Sequence, residues 1–230
     1  LKNRTRIVID KVFWTALSRF SDSNERIEAV RQRVENALTR LGEFGAAPPA
    51  HVLDAGCNTG TYTLALAQTG YDAVGIDFSG GMVERATRKA EKLNLPATFE
   101  KMDLDRQLWF ADGEFDHVLC TSVLHLLPRP EWTLGELYRV TRPQGLLLLT
   151  LWLDPEKHRE AFPQIIDTQI AGKDLGILKQ ARKTANIISE RTIRARYWKP
   201  EDIRALLVKQ GYEVLLQEGD TILTLVAKHT

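Results

Sequence analysis

The residues best placed to do chemistry lie in one stretch, His51-Val-Leu-Asp-Ala-Gly-Cys-Asn-Thr-Gly60. A short strand leads into it and a helical pattern leads out. Such a junction presents unpaired backbone N–H groups and the positive end of a helix. Gly56 and Gly60 carry no side chain, so a ligand can approach the backbone there. In the next unit a second strand ends at Asp77, in Val-Gly-Ile-Asp-Phe. A carboxylate in that position can accept both hydroxyls of a ribose. The plain alternative is a strand-to-helix turn and a surface acid.

Two ligand classes compete for this loop. A dinucleotide loop needs Gly-x-Gly-x-x-Gly, so that a pyrophosphate can rest on the helix end. Here the spacing is Asp54-x-Gly56-x-x-x-Gly60, with Asn58 in place of a glycine. Asp54 would also bring negative charge to a pyrophosphate. A ligand with a cationic centre and an amino group suits that acid better.

His125, in Thr-Ser-Val-Leu-His-Leu-Leu after the fourth strand, has an imidazole able to take a proton near neutral pH. The bland reading is a histidine that packs the loop. Between 155 and 199 there are ten basic residues against five acidic ones. That excess fits a substrate carrying carboxylate or phosphate groups. The plainer reading is a solvated helix face. Arg194 and Arg196 belong to this excess, and Tyr197 and Trp198 either line a pocket or staple the following helix.

The elements that must position these groups follow from periodicity. Ile9, Val12, Phe13, Ala16, Leu17 and Phe20 recur at helical spacing, and Ile27, Val30, Val34, Leu38 and Leu41 form a second stripe. Gly45 to Pro49 reads as a linker. Strands are expected at His51–Asp54, Asp72–Asp77, Ala97–Asp103, Phe115–Thr121 and Gly145–Trp152, with helices Gly60–Gln68, Gly80–Leu93 and Trp132–Val140 between them. This alternation implies a mostly parallel sheet covered on both faces. Residues 154–196 are mostly helical in pattern. A helix at Lys199–Gln210 and a hairpin of Tyr212–Gln217 with Ile222–Lys228 complete the chain.

Composition sets the outer bounds. With 230 residues, 43% hydrophobic and 27% charged, the chain can bury a sizeable core, and wholesale disorder is excluded. A net charge of +1 argues against a uniform basic field made for polyanions. Two cysteines cannot build a disulfide scaffold or a Cys-only zinc site, and the histidines lack ligand spacing, so no metal is expected. No apolar run approaches the length of a membrane-spanning helix.

Asp54-Ala-Gly-Cys-Asn-Thr-Gly60 resembles motif I of the class I S-adenosylmethionine-dependent methyltransferases, and the likeness runs through about residues 51–153 and resumes at 198–228. It is nearest in kind to the type 11-like small-molecule group of ubiquinone and menaquinone biosynthesis. The resemblance implies a Rossmann-like α/β fold, a seven-stranded sheet with the last strand antiparallel. It implies a cofactor-binding domain of residues 50–153 and 197–230, a helical lid at 1–45 and a helical substrate cap at 154–196, after strand five. It implies S-adenosyl-L-methionine as cofactor and S-adenosyl-L-homocysteine as product. Asp54, Gly56, Cys57, Asn58, Thr59 and Gly60 would form the cofactor loop and Asp77 would hold the ribose. Phe78 and Met82 would pack around the adenosine. Met102, Asp103 and Leu104 would meet the adenine, while Cys120 and Thr121 would flank the methionine end. Trp14 and Arg19 of the lid would reach the same end.

The expected activity is methyl transfer to an oxygen, nitrogen or carbon of a small, anionic metabolite, with His125 as candidate base. Methylation of RNA or protein is a rival. The Asn-Pro-Pro-Tyr-like signature of many such enzymes is absent at Cys120-Thr-Ser-Val, which argues against nucleic acid as a partner. A silent, methyltransferase-like binding subunit is the non-enzyme rival, and the intact set of Asp54, Gly56, Gly60, Asp77 and Asp103 weighs against it. Free cysteines, the cofactor and the lack of a signal segment lead to an expectation of cytoplasmic placement.

Overall fold

The structure, a computed structural model, describes residues 28–157 and 195–230, apart from the side chain of Ala29. Most of the expected lid helices, 1–27, and of the cap, 158–194, lie outside the described residues, with Trp14, Arg19 and Arg194 among them.

Seven strands form one sheet: β1 (His51–Ala55), β2 (Asp72–Asp77), β3 (Thr98–Lys101), β4 (Phe115–Thr121), β5 (Thr141–Trp152), β6 (Tyr212–Glu218) and β7 (Ile222–His229). Their spatial order is β3-β2-β1-β4-β5-β7-β6. The first five strands pair in parallel, and β7 runs antiparallel to both β5 and β6. This is the expected fold, with the last strand reversed. Among the described residues the helices are α1 (Glu28–Glu43), α2 (Thr61–Gln68), α3 (Gly80–Leu93), α4 (Pro130–Val140) and α5 (Pro200–Lys209), with a 3₁₀ turn at Leu124–Leu126.

Period-two burial explains the layers. Leu53, Val118, Cys120, Leu147 and Leu149 face one side, where Leu134 and Leu137 of α4 and Ile203 and Leu207 of α5 cover them. Val52, Leu119, Leu146, Leu148 and Val226 face the other side, against Ala37 and Leu41 of α1 and Leu66 and Ala67 of α2. In α1, Val30, Val34, Ala37 and Leu41 are buried at helical spacing. Arg40 grips Glu218 at the end of β6 through Nε–Oε1 and Nη2–Oε2 bonds of 2.8 Å each, tying this helix to the far edge of the sheet.

Two strand boundaries differ from the periodic pattern by more than one residue. β5 starts at Thr141, not Gly145, because Thr141 already pairs with Phe115 before the register jumps to His117 opposite Leu146. The intervening residues loop out, with Gln144 at φ 67°. Gly145 follows under Asp116, whose carbonyl oxygen leaves no room for a Cβ. β3 stops at Lys101, short of Asp103. Once the Met102 N–H has bonded the Asp77 carbonyl at 3.0 Å, the chain turns, with the Arg106 N–H on the Asp103 carbonyl at 2.9 Å.

Strand order reverses at β1, which has β2 on one side and β4 on the other. Crevices at the carboxyl ends of such strands are where open α/β sheets bind ligands.

Candidate functional site

The loop after β1 hangs from the end of β2. The N–H groups of Gly56 and Cys57 both donate to the Ile76 carbonyl, at 2.8 and 2.9 Å. The Asn58 N–H donates to Asp77 Oδ2 at 3.1 Å, and the Ser79 N–H to Asp77 Oδ1 at 2.8 Å. Asp77 is therefore fixed at both oxygens before any ligand arrives. The loop backbone is left-handed at Gly56 (φ 84°), Asn58 (φ 54°) and Gly60 (φ 83°). Asn58 can stand where a glycine is common because asparagine tolerates this region.

The two glycines do a different job from the one their spacing suggests. A Cβ on Gly60 would lie 2.8 Å from the Phe99 ring and 3.1 Å from Ala86. A Cβ on Gly56 would lie 2.5 Å from Val123 Cγ2. The space they leave is taken by the protein's own side chains, from β3, α3 and the turn after β4. The glycines thus let β3, α3 and the turn after β4 close on the loop.

Asp54, at 1% exposure, points into α2. Its Oδ2 accepts the Thr63 N–H at 3.1 Å and the Thr63 hydroxyl at 2.7 Å. Burial pushes its carboxyl up to about 6; the Thr63 bonds oppose the rise and nearby Asp77 adds to it. Burial also pushes Asp77 up to about 6, against the pull of the Ser79 and Asn58 N–H groups. Cys57 lies between them; burial first, then both carboxylates, hold its thiol well above the usual range.

The remaining expected residues fall around this centre. Phe78 is half-buried and Met82 buried in the first turn of α3. Met102 and Leu104 are core residues, and half-buried Asp103 accepts the Asp105 N–H at 3.2 Å. Cys120 is fully buried, which raises its thiol to about 12. Thr121 ends β4, and burial raises the phenol of Tyr62 in α2 to about 12, against the pull of a hydrogen bond from the Thr121 side chain. His125 is 1% exposed in the 3₁₀ turn, and its carbonyl accepts the Arg196 N–H at 2.7 Å. Exposed Arg196 pairs with Glu131 at 3.0 Å and lies 5.0 Å over the Trp198 ring. Tyr197 and Trp198 are half-buried. The fold thus gathers the loop, Asp77, Met102 and Thr121 at one edge and ties residue 196 to the turn after β4.

Sequence reasoning missed Thr63, Tyr62 and Lys89. Lys89 of α3 donates to the Thr59 carbonyl at 3.2 Å and to Thr59 Oγ1 at 3.0 Å. None of these carries a motif of its own. Only the helical offset from Gly60 would place Thr63 over Asp54.

The donor set can be matched to a ligand. Asp54 Oδ1 and Ser79 Oγ are buried and accept or donate no hydrogen bond among the described residues. Buried polar atoms are normally satisfied. Two acceptor-only carboxylates suit a ligand that brings hydroxyl and ammonium donors, and a pyrophosphate would meet repulsion from both. An adenosyl sulfonium with a ribose diol and an amino group fits. Among the described residues no His, Cys, Asp or Glu cluster could hold a metal, and no helix is long and apolar enough to cross a membrane.

Comparison with known proteins agrees with this geometry. A family described as a methyltransferase domain matches residues 52–145. A demethylmenaquinone methyltransferase of Thermus thermophilus is 31% identical over 168 residues, 72% of this chain and 76% of that protein. A demethylmenaquinone methyltransferase of Beutenbergia cavernae is 36% identical over 137 residues, covering 60% of this chain and 55% of that protein. The chain spans about half the length of most of the first curated relatives it matches. The crystal structure of the PH0226 protein from Pyrococcus horikoshii OT3 superposes with a TM-score of 0.67 at 21% identity, covering 92% of this chain and 95% of that one. Motif, sheet order and relatives converge, and the chain belongs to the class I S-adenosylmethionine-dependent methyltransferases.

Proposed function

We propose that this chain transfers a methyl group from S-adenosyl-L-methionine to an oxygen, nitrogen or carbon of a small molecule, with acceptors bearing carboxylate or phosphate groups preferred. The observation that carries the proposal is the pair of carboxylates held against the glycine loop, buried Asp54 with an open oxygen and half-buried Asp77 locked by two N–H groups. Relatives named for demethylmenaquinone and for malonyl-[acyl-carrier protein] as acceptors support the small-molecule class.

In this reading Asp77 holds the ribose hydroxyls, and the open oxygen of Asp54 faces the amino group of the methionine moiety. Phe78 and Met82 flank the adenosine, with Met102, Asp103 and Leu104 beside the adenine. Cys120 and Thr121 border the methionine end, to which Trp14 and Arg19, outside the described residues, are also assigned. The bound cofactor supplies a methyl group already activated on a sulfonium, with a neutral thioether as leaving group. The chain then has to align acceptor and methyl carbon and exclude water, which in favourable cases lowers a barrier by about 7–11 kcal/mol. His125 is the candidate base for an acceptor that must lose a proton, a role that contributes roughly 10²–10⁴-fold. Arg194, Arg196, Tyr197 and Trp198 are assigned to the acceptor side, where basic side chains suit an anionic acceptor.

Calorimetry of the purified chain with S-adenosylmethionine, S-adenosylhomocysteine and NAD tests the cofactor. Micromolar binding of the adenosyl compounds without an NAD signal is expected. A folded sample that binds neither adenosyl compound refutes the assignment.

A further inference from the structure

The cofactor loop and α2 meet at a helical hydrogen bond that is not made. The Leu64 N–H already donates to the Gly60 carbonyl at 2.8 Å; if the helix ran one residue further back, the Thr63 N–H would donate to the Thr59 carbonyl. Each half of that bond has instead been taken by a charged side chain. The donor half goes to Asp54 Oδ2 at 3.1 Å. The acceptor half goes to Lys89 Nζ at 3.2 Å, and the same ammonium reaches Thr59 Oγ1 at 3.0 Å.

The arrangement holds the loop open. Thr59 is 1% exposed, so neither of its oxygens has water as an alternative partner. Without Lys89, a buried carbonyl would be left unsatisfied, a costly state. Its nearest remedy is the Thr63 N–H, in competition with Asp54. Winding the helix back through Thr59 would abolish the left-handed turn at Gly60, φ 83°, and close the cradle between Gly56 and Gly60. The lysine also stands at the N-terminal end of α2, where the helix dipole opposes a cation. Its place there is explained by the carbonyl it satisfies.

α3 carries both ends of the device. Its N-cap is Ser79, whose N–H anchors Asp77, and Lys89 projects from its penultimate turn. One rigid helix therefore sets the separation between the ribose acid and the loop.

We propose that Lys89 is a positioning residue for the cofactor loop, holding the acceptor half of a divided helical hydrogen bond whose donor half is held by Asp54. The inference rests on reading this loop as the S-adenosylmethionine site. The test is calorimetry of the full chain with S-adenosylhomocysteine, on wild type, Lys89→Met, Lys89→Arg and Thr59→Val. Lys89→Met removes the charge and should weaken binding about tenfold or more. Lys89→Arg restores charge and donors and should recover most of that loss. Thr59→Val removes one acceptor and keeps the carbonyl, so it should fall between. Wild-type affinity in a folded Lys89→Met protein overturns the inference and leaves the cofactor assignment standing. If Lys89→Met does not fold, Thr59→Val decides: weakened binding supports the device and unchanged binding overturns it. Failure of the wild type to bind overturns the cofactor assignment itself.

Discussion

Replacing Asp77 by asparagine probes the site at the point where structure and proposed function are most tightly bound. Both oxygens of Asp77 already accept a backbone N–H, from Ser79 at 2.8 Å and Asn58 at 3.1 Å. Ribose hydroxyls would use the remaining lone pairs. A hydrogen bond to a charged group contributes about 1.5–3 kcal/mol. Against this stands the desolvation of the carboxylate, whose rise from 3.8 to about 6 disfavours the charged form by about 3 kcal/mol. The neutral amide escapes that penalty but sets an NH₂ against one of the two N–H groups. The net expectation is a loss of about 1–3 kcal/mol in S-adenosylhomocysteine binding, or about 5- to 150-fold.

The pH profile gives the sharper signature. The ionised carboxylate accepts the ribose hydroxyls, so wild-type affinity should be level above pH 7 and fall as the pH drops through about 6. In Asp77→Asn only Asp54, also raised to about 6, remains on that limb, which should lose slope. Stability moves in the linked sense. A carboxyl raised on folding stabilises the ligand-free protein below its unfolded value of 3.8, and that contribution is lost as the pH rises through about 6. The difference in Tm between pH 5 and pH 7 should therefore shrink in the variant. Calorimetry across pH 5–8 with thermal melts reads all three quantities. A folded Asp77→Asn protein with wild-type affinity and an unchanged acid limb refutes the ribose assignment.

Three further outcomes are expected. Gly56→Ala should nearly abolish S-adenosylhomocysteine binding, because the new methyl group meets Val123 at 2.5 Å on a φ of 84°; near-normal affinity would show that the loop is not the binding element. Arg139→Met removes five hydrogen bonds, three to the 108–112 segment (the Leu108 and Phe110 carbonyls and Asp112) and two to Glu136 on its own helix, and denaturant titration should show about 2–4 kcal/mol of lost stability. A loss below 1 kcal/mol would mark the cluster as ordinary surface pairing. His125→Ala should lower turnover with an identified acceptor while leaving S-adenosylhomocysteine affinity near wild type, whereas retained turnover would assign the buried ring to packing alone.

The fold was legible because both periodicities are clean. The alternation of Leu146–Leu149 across two faces and the stripe of Val30, Val34 and Leu41 are local signals that tertiary contacts reinforce. The glycine loop and Asp77 were legible as residue types at a spacing. What escaped was partnership across elements. Lys89 is one basic residue among several on α3, and nothing in its neighbours says that it reaches Thr59, thirty residues away. Gly56 and Gly60 were read as room for a ligand, yet the positions of Val123 and Phe99, fixed only by the sheet, decide what fills that room. Strand ends at β3 and β5 were misplaced because pairing partners, not the residues themselves, set where a strand stops.

The position of β7 bears on how the chain is made. It lies between β5 and β6, so the sheet is closed from within by the last strand in sequence. On the ribosome, the leucine-rich edge of β5 stays open until residues 153–221 have emerged. An open apolar edge invites pairing with another chain. Truncation before Ile222 would leave that edge permanently exposed, with β6 cut off from the rest of the sheet. Nascent chains of this protein are therefore expected to be most prone to aggregate in the interval just before β7 is synthesised.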